Sequence, residues 1–214
     1  MKNVTTTVGH ESYGCQARSL VVTSAPAAEP ISTATAKAHL QVASGNTADD
    51  TLIDSLVSAA RHWVEQATGR RLITQTLVAR YDGVPSAGAP LLLPVAPVAS
   101  VTSVVSYDRS NVSSTFASAS YLTDLHSAPA RIALNDGYSW PSDLRPVNAV
   151  EATFVAGYGS TGASVPQPIV HALLMLVSFY YDQRAAAAAD PGLTIAEMPF
   201  GPAALLGPYR VWWI

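Results

Sequence analysis

Between Asp50 and Thr68 apolar side chains recur at three- and four-residue steps: Leu52, Ile53, Leu56, Val57, Ala60, Trp63, Val64 and Ala67. One such stripe is the signature of an amphipathic helix with a single buried face. Asp54, Ser58, Arg61 and Glu65 fall off the stripe. Thr47 with Asp50 three residues on has the form of a capping box. Gly69 supplies a left-handed stop, and Arg70 and Arg71 stand where cations complement a helix dipole. The pattern predicts a helix near 48–68. A second helix, near 167–185, is apolar nearly all round ("PIVHALLMLVSFYYDQR"), with Pro166 and Pro168 suited to its first turn. Apolar character on every side makes it the expected central, most buried helix. Two shorter helices are predicted near 33–42, capped by Ser32 or Thr33, and near 202–207, opening at Pro202 and stopped by Gly207 and Pro208.

From 74 to 157 the period changes. "TQTLVARYDG", "PLLLP", "SVTSVVSYD", "SYLTDL", "ARIAL" and "NAVEATFVAGYG" are short, rich in β-branched and aromatic residues, and bounded by Pro, Gly, Ser or Asp. They predict strands of a small antiparallel sheet, and "DRSNVSSTFASAS" an exposed hairpin or loop. Residues 1–30 show no helical period and form an extended N-terminal arm that must lie on its own body or on a neighbour. The expected fold class is α+β: a small helical bundle with an inserted antiparallel β region (about 74–157) and extended N- and C-terminal arms. The expected organisation is an arm at 1–30, a core at 31–198 and a C-terminal segment at 199–214.

Composition sharpens this picture. Of 214 residues 49% are apolar and 13% charged, with a net charge of −3 and Lys2 and Lys37 as the only lysines. The charged share is about half the usual quarter, which fits either a surface of Ser and Thr or a surface covered by partners. Without a basic run, sequence-reading DNA binding is not expected, because such binding needs Lys and Arg at phosphates. The single cysteine, Cys15, has no partner for an internal disulfide. The first residues lack the apolar run of a secretory signal, and the longest apolar stretch is too short to span a bilayer. The chain is expected to be soluble, with no membrane partner.

No set of residues carries chemistry. His10, His39, His62, His126 and His171 have no second ligand at metal spacing. His62 and Glu65 are expected as a solvated surface pair, and His171 as a buried or interface histidine. "GYGSTG" (157–162) lacks the lysine of a phosphate loop and fits a turn between a strand and a helix. Asp82 and Asp136 each precede a glycine and are expected in turns. No catalytic residue, metal or cofactor is expected, and the chain is not expected to be an enzyme. An enzyme or a sugar-binding β module stays the third class of function.

The sequence "MPFGPAALLGPYRVWWI" is the richest apolar segment. After Pro208 an extended chain would turn Tyr209, Val211 and Trp213 one way and Arg210, Trp212 and Ile214 the other. Both faces are largely apolar, which suits a slot between partner chains. Phe200, Tyr209, Trp212 and Trp213 would bury roughly 150–250 Å² each, on the order of 15–25 kcal/mol gross at ~25 cal/mol per Å². "PFGPAALL" fits such docking and a fold-back onto its own helices equally well; "YRVWWI" fits the partner better.

Several stretches, in this order, resemble one family: "AKAHLQV", "DDTLIDSLVSAARHWVEQATGRRLITQT", "LLLPVAPVASVTSVVSYD", "VEATFVAGYG" leading into "VPQPIVHALLMLVSFYYDQR", and "MPFGPAALLGPYRVW". From about Thr35 to Trp212 the chain is similar to the head–tail connector, or adaptor, proteins of long-tailed bacteriophages and related prophage or gene-transfer particles. The resemblance implies a virion protein of the head–tail neck, assembled in the host bacterial cytoplasm. It implies a homo-oligomeric ring, usually twelve-fold, that joins the portal to a stopper, tail-tube or tail-terminator protein. Double-stranded DNA would pass through its lumen without specific contacts. By the resemblance the C-terminal segment reaches the portal, and together with the apolar tail this makes Pro199, Phe200, Leu205, Leu206, Tyr209, Arg210, Val211, Trp212, Trp213 and Ile214 the candidate portal-binding residues. Arg61, Arg70 and Arg71 are candidates for the ring interface, or for simple helix-end roles. The alternative is a stopper or tail-completion protein of the same neck, a class expected to be mostly β. The 30-residue arm and the final "WWI" depart from the family pattern.

Overall fold

The computed structural model of the chain describes residues 15–85, 89–183 and 200–212. Two strands, β1 (Cys15–Gln16) and β2 (Ser19–Ser24), precede helices α1 (Thr33–His39) and α2 (Asp50–Thr68). Seven strands follow: β3 (Gln75–Tyr81), β4 (Leu91–Leu92), β5 (Val98–Tyr107), β6 (Ser113–Thr115), β7 (Tyr121–Asp124), β8 (Arg131–Leu134) and β9 (Val150–Ala156). Helices α3 (Gln167–Asp182) and α4 (Phe200–Leu206) complete the order, with a 3-10 turn at Gly207–Tyr209. The α+β class is borne out.

The helices share one core. Ile53, Val57, Ala60 and Val64 of α2 meet Ile169, Ala172, Leu173, Leu176 and Val177 of α3, with Ile31, Ala36, Leu72, Ile73, Val165 and Leu206 around them. The α2 stripe is therefore the buried face, and Gly69 ends the helix at φ +68 as expected. The N-terminal signal differs. Asp49 is the N-cap residue, and its carboxylate accepts the Tyr181 hydroxyl at 2.7 Å. Asp50 holds buried Lys37, whose ammonium also donates to the carbonyls of Ser44 and Asn46. A lysine folded under the α1–α2 turn demands those oxygens, so the expected capping box does not form. Helix α1 is capped by Ser32, whose Oγ accepts the Thr35 amide, and it stops at His39, short of residue 42.

Helix α3 corrects a second expectation. Only one face is buried; Val170, Leu174, Phe179 and Tyr180 are half-exposed and His171 is exposed. Apolar character all round a helix does not bury it when one layer of neighbours is all the fold provides. The His171 ring stands edge-on to that of exposed His39, 6.5 Å between centroids.

The β region forms two sheets rather than one. The five-stranded sheet has the order β2-β3-β9-β5-β6 and is antiparallel throughout; the four-stranded sheet has the order β1-β4-β8-β7, with β1 parallel to β4. Their inner faces share a second core, in which Leu77, Tyr81, Val104, Val150 and Phe154 meet Leu91, Leu93 and Ile132. Buried Tyr81 donates its hydroxyl to the Leu92 carbonyl at 2.8 Å, tying one sheet to the other. All six sequence-predicted strands are present, and the polar hairpin after β5 contains exposed β6. Residues 15–24 of the N-terminal arm are an integral edge of both sheets. Residues 1–14 lie outside the described residues.

"GYGSTG" is a junction. Gly157 has φ +137, and a Cβ there would lie 2.5 Å from the Thr74 amide; at Gly162 it would meet the Pro30 carbonyl oxygen at 2.0 Å. Only glycine lets the β9–α3 connection press against both segments. The two Asp-Gly turns also form: Gly137 sits at φ +84, and Asp82 accepts the Asn148 amide at 3.0 Å.

Candidate docking site

The last described segment is built against α2 and α3. Gly201 lets α4 lie close to Met175 of α3; a Cβ in its place would come within 2.6 Å of the Met175 methyl. Pro202 and Leu206 are buried, and Leu205 and Tyr209 pack half-buried on the helical core. The α4 helix starts at Phe200, two residues before the expected Pro202, which places that proline inside its first turn.

Beyond Tyr209 the chain is extended and lies across the end of α2. A helix leaves its last carbonyls without intrahelical partners. Here the Val211 amide donates to the Thr68 carbonyl at 2.8 Å, and Arg210 Nε donates to the Ala67 carbonyl at 3.2 Å. The Arg210 cation also complements the negative end of the α2 dipole. Arg70 holds the segment from the other side, its Nε–H donating to the Tyr209 carbonyl while the guanidinium lies 5.9 Å from the Tyr158 ring centre. The Val211 side chain occupies the space beside Gly69. Tyr209 and Val211 thus turn inward, whereas Arg210 and Trp212 turn outward, as alternation requires. Trp212 is 68% exposed, the most exposed large apolar side chain among the described residues.

The sequence-predicted docking residues therefore divide. Leu206 belongs to the chain's own core. Leu205, Tyr209 and Val211 are partly covered, and Arg210 and Trp212 face outward. Phe200 opens α4, and Pro199, Trp213 and Ile214 lie outside the described residues.

The arginines named for the ring interface all have partners within the chain. Arg61 is 6% exposed and forks onto Glu29 through Nε and Nη2, at 2.7 and 3.2 Å. Its other Nη faces Glu65 at 3.5 Å, and Arg71 reaches the same carboxylate at 3.4 Å. Glu65, 3% exposed, also accepts the Leu72 amide at 2.9 Å and the Gln75 side-chain amide at 3.4 Å. Two carboxylates and two guanidinium groups so fix the arm, α2 and the start of β3 to one another. The sequence reading placed Glu65 in a solvated pair with His62; instead it is the buried centre of this cluster, and exposed His62 bonds the Ser58 carbonyl. The available signal was the i, i+4 spacing of Arg61 and Glu65 beside Val57, Val64 and Thr68 on the helix.

Among the described residues no group of three His, Cys, Asp or Glu side chains is placed to hold a metal ion, and no helix is long and apolar enough to cross a membrane. The Cys15 thiol is half-buried, and its pKa is raised, chiefly by burial.

No family model and no curated protein matches the chain. Solved structures do. A chain in the neck of an empty GTA particle, computed with C6 symmetry, superposes with a TM-score of 0.75 at 25% identity, covering 92% of this chain and 97% of that one. A chain in the virion of a native gene transfer agent particle gives 0.71 at 27% identity, covering 91% and 96%. A chain in the neck of a native GTA particle, computed with C12 symmetry, gives 0.66 at 26% identity, covering 91% and 97%. The chain has the fold of these neck components over nearly its whole length, and the resemblance to connector-type neck proteins of phage-like particles is borne out.

Proposed function

We propose that the chain is the connector subunit of a phage-like particle: a structural protein, without catalytic activity, that forms a ring between the portal and the stopper or tail components and continues the DNA channel. The observation that carries this reading is the full-length likeness to chains in particle necks, among them necks computed with C6 and C12 symmetry. A twelve-fold ring accords with both. Four helices around a dedicated core favour a connector over a mostly β stopper. A net charge of −3 per chain, repeated around a ring, favours a conduit through which DNA slides over one that grips it. The segment 199–214 is the proposed portal contact, with Trp212 and Arg210 as its outward elements. Arg61, Arg70 and Arg71 would serve a ring by fixing the subunit's shape, through the intramolecular bonds described above.

The test is removal of the chain from a producing strain. DNA-filled heads and separate tails should accumulate, and the purified chain should restore joined particles. Normal joined particles in its absence would overturn the proposal.

A further inference from the structure

Among the described residues, the outer strand of the five-stranded sheet, β2, has only a bulge to shield it. Such an edge offers a row of unpaired backbone groups, and proteins blunt it with charges, prolines or very short strands. β2 is six residues long, "SLVVTS", with neither charge nor proline, and Val21 and Val22 are 40% and 45% exposed. A bulge between Val22 and Ser24 is its one irregularity. The opposite edge of that sheet, β6, is a three-residue polar strand closed by a turn in which Asp108 accepts the amides of Ser110 and Val112. The remaining edge is β7, four residues at the far side of the four-stranded sheet from β1 and hence from the arm. It carries Leu122, 65% exposed, and ends on Asp124.

We propose that β2 pairs, antiparallel, with β7 of a second copy of this chain, so that the two sheets become continuous from one subunit to the next. The proposal rests on the ring reading above and names its contact. Antiparallel pairing brings the start of β2 to the end of β7. Arg18, its side chain 76% exposed and 3.6 Å from a partly exposed Asp82, then stands near Asp124 of the neighbour, whose carboxylate is shared with its own Arg131, and Val21 and Val22 lie along Leu122. Parallel pairing that keeps the valines along Leu122 would carry Arg18 away from Asp124. Because β2 and β7 are different patches, the contact is head-to-tail, the kind that closes into a ring.

Two measurements on the full chain test it. In particles carrying a Cys15→Ser chain, Val21→Cys combined with Leu122→Cys should give, on oxidation, a ladder that runs past the dimer, while either cysteine alone gives only monomer. The variant Val21→Lys should keep the parent's circular dichroism and melting temperature and lower ring occupancy at least tenfold. A dimer from Val21→Cys alone, a cross-link to a protein of another mass, or a ring visible in micrographs with no ladder would each overturn strand pairing and leave the connector reading standing. Particles without a ring of this chain would overturn both.

Discussion

Glu65 illustrates how one buried carboxylate holds three segments. Its oxygens accept from the Arg71 guanidinium, the Leu72 amide and the Gln75 side-chain amide, and face the Arg61 guanidinium at 3.5 Å. Removing it would leave Arg71 without a carboxylate and Arg61 with Glu29 as its one counter-charge. Breaking a buried pair from one side costs about 3–5 kcal/mol. Glu65→Ala should therefore lower the melting temperature by roughly 6–20 °C, at about 2–4 °C per kcal/mol for a domain of this size. Glu65→Gln, which keeps an acceptor for the Leu72 amide, should lose less. Asp124 offers a test in pH. Bonds from Ser127, Arg131 and the amides of Ser127 and His126 hold its carboxyl well below the usual range. A depressed folded pKa contributes stability above the ordinary carboxylate value of about 3.9, and the contribution is lost as pH falls through the folded value. Asp124→Asn should thus be less stable than the parent at neutral pH, with the gap closing at acid pH in denaturant titrations. Neither carboxylate stood out in the sequence. Glu65 sits one step off an apolar stripe and Asp124 at the end of a short strand, and what distinguishes them is the set of donors that the fold brings near.

Among the elements, legibility follows the range of the interaction. The α2 stripe, the Gly69 stop and the short β-branched strands between turn residues are local signals, and each is present in the structure. β1 and β2 were legible only as extended chain, because β2 finds its partner in β3, more than fifty residues on. The single-sided burial of α3 was likewise not local: it depends on how many layers surround the helix. The candidate site was half legible. Alternation gave the inward and outward sides of residues 209–212, but the carbonyls of α2 that receive the segment appear only in three dimensions. This predicts a specific uncoupling. Arg70→Ala removes the donor to the Tyr209 carbonyl while leaving both cores intact. Amide exchange at Val211 should accelerate at least tenfold, with the α2 and α3 interiors unchanged. Equal acceleration throughout would mean that Arg70 supports the whole fold instead.

At the scale of the whole molecule, docking and folding must be separated before either can be measured. Deleting residues 208–214 would not do this, since the same cut strips Val211 and Arg210 from the α2 carbonyls. Trp212 allows the separation. Its ring is mostly in solvent, with the Arg210 guanidinium 5.8 Å from the ring centre. An exposed cation–π contact contributes about 0.5–1 kcal/mol, so Trp212→Ala should barely change stability. A tryptophan buried at the centre of a protein contact often carries about 2 kcal/mol or more, roughly thirtyfold in affinity for each subunit. Around a ring such losses compound, because every contact raises the effective concentration of the next. Trp212→Ala particles should therefore contain folded, soluble connector subunits that fail to remain on portal-bearing heads through sedimentation. Retention at the parent's occupancy would remove Trp212 from the proposed portal contact.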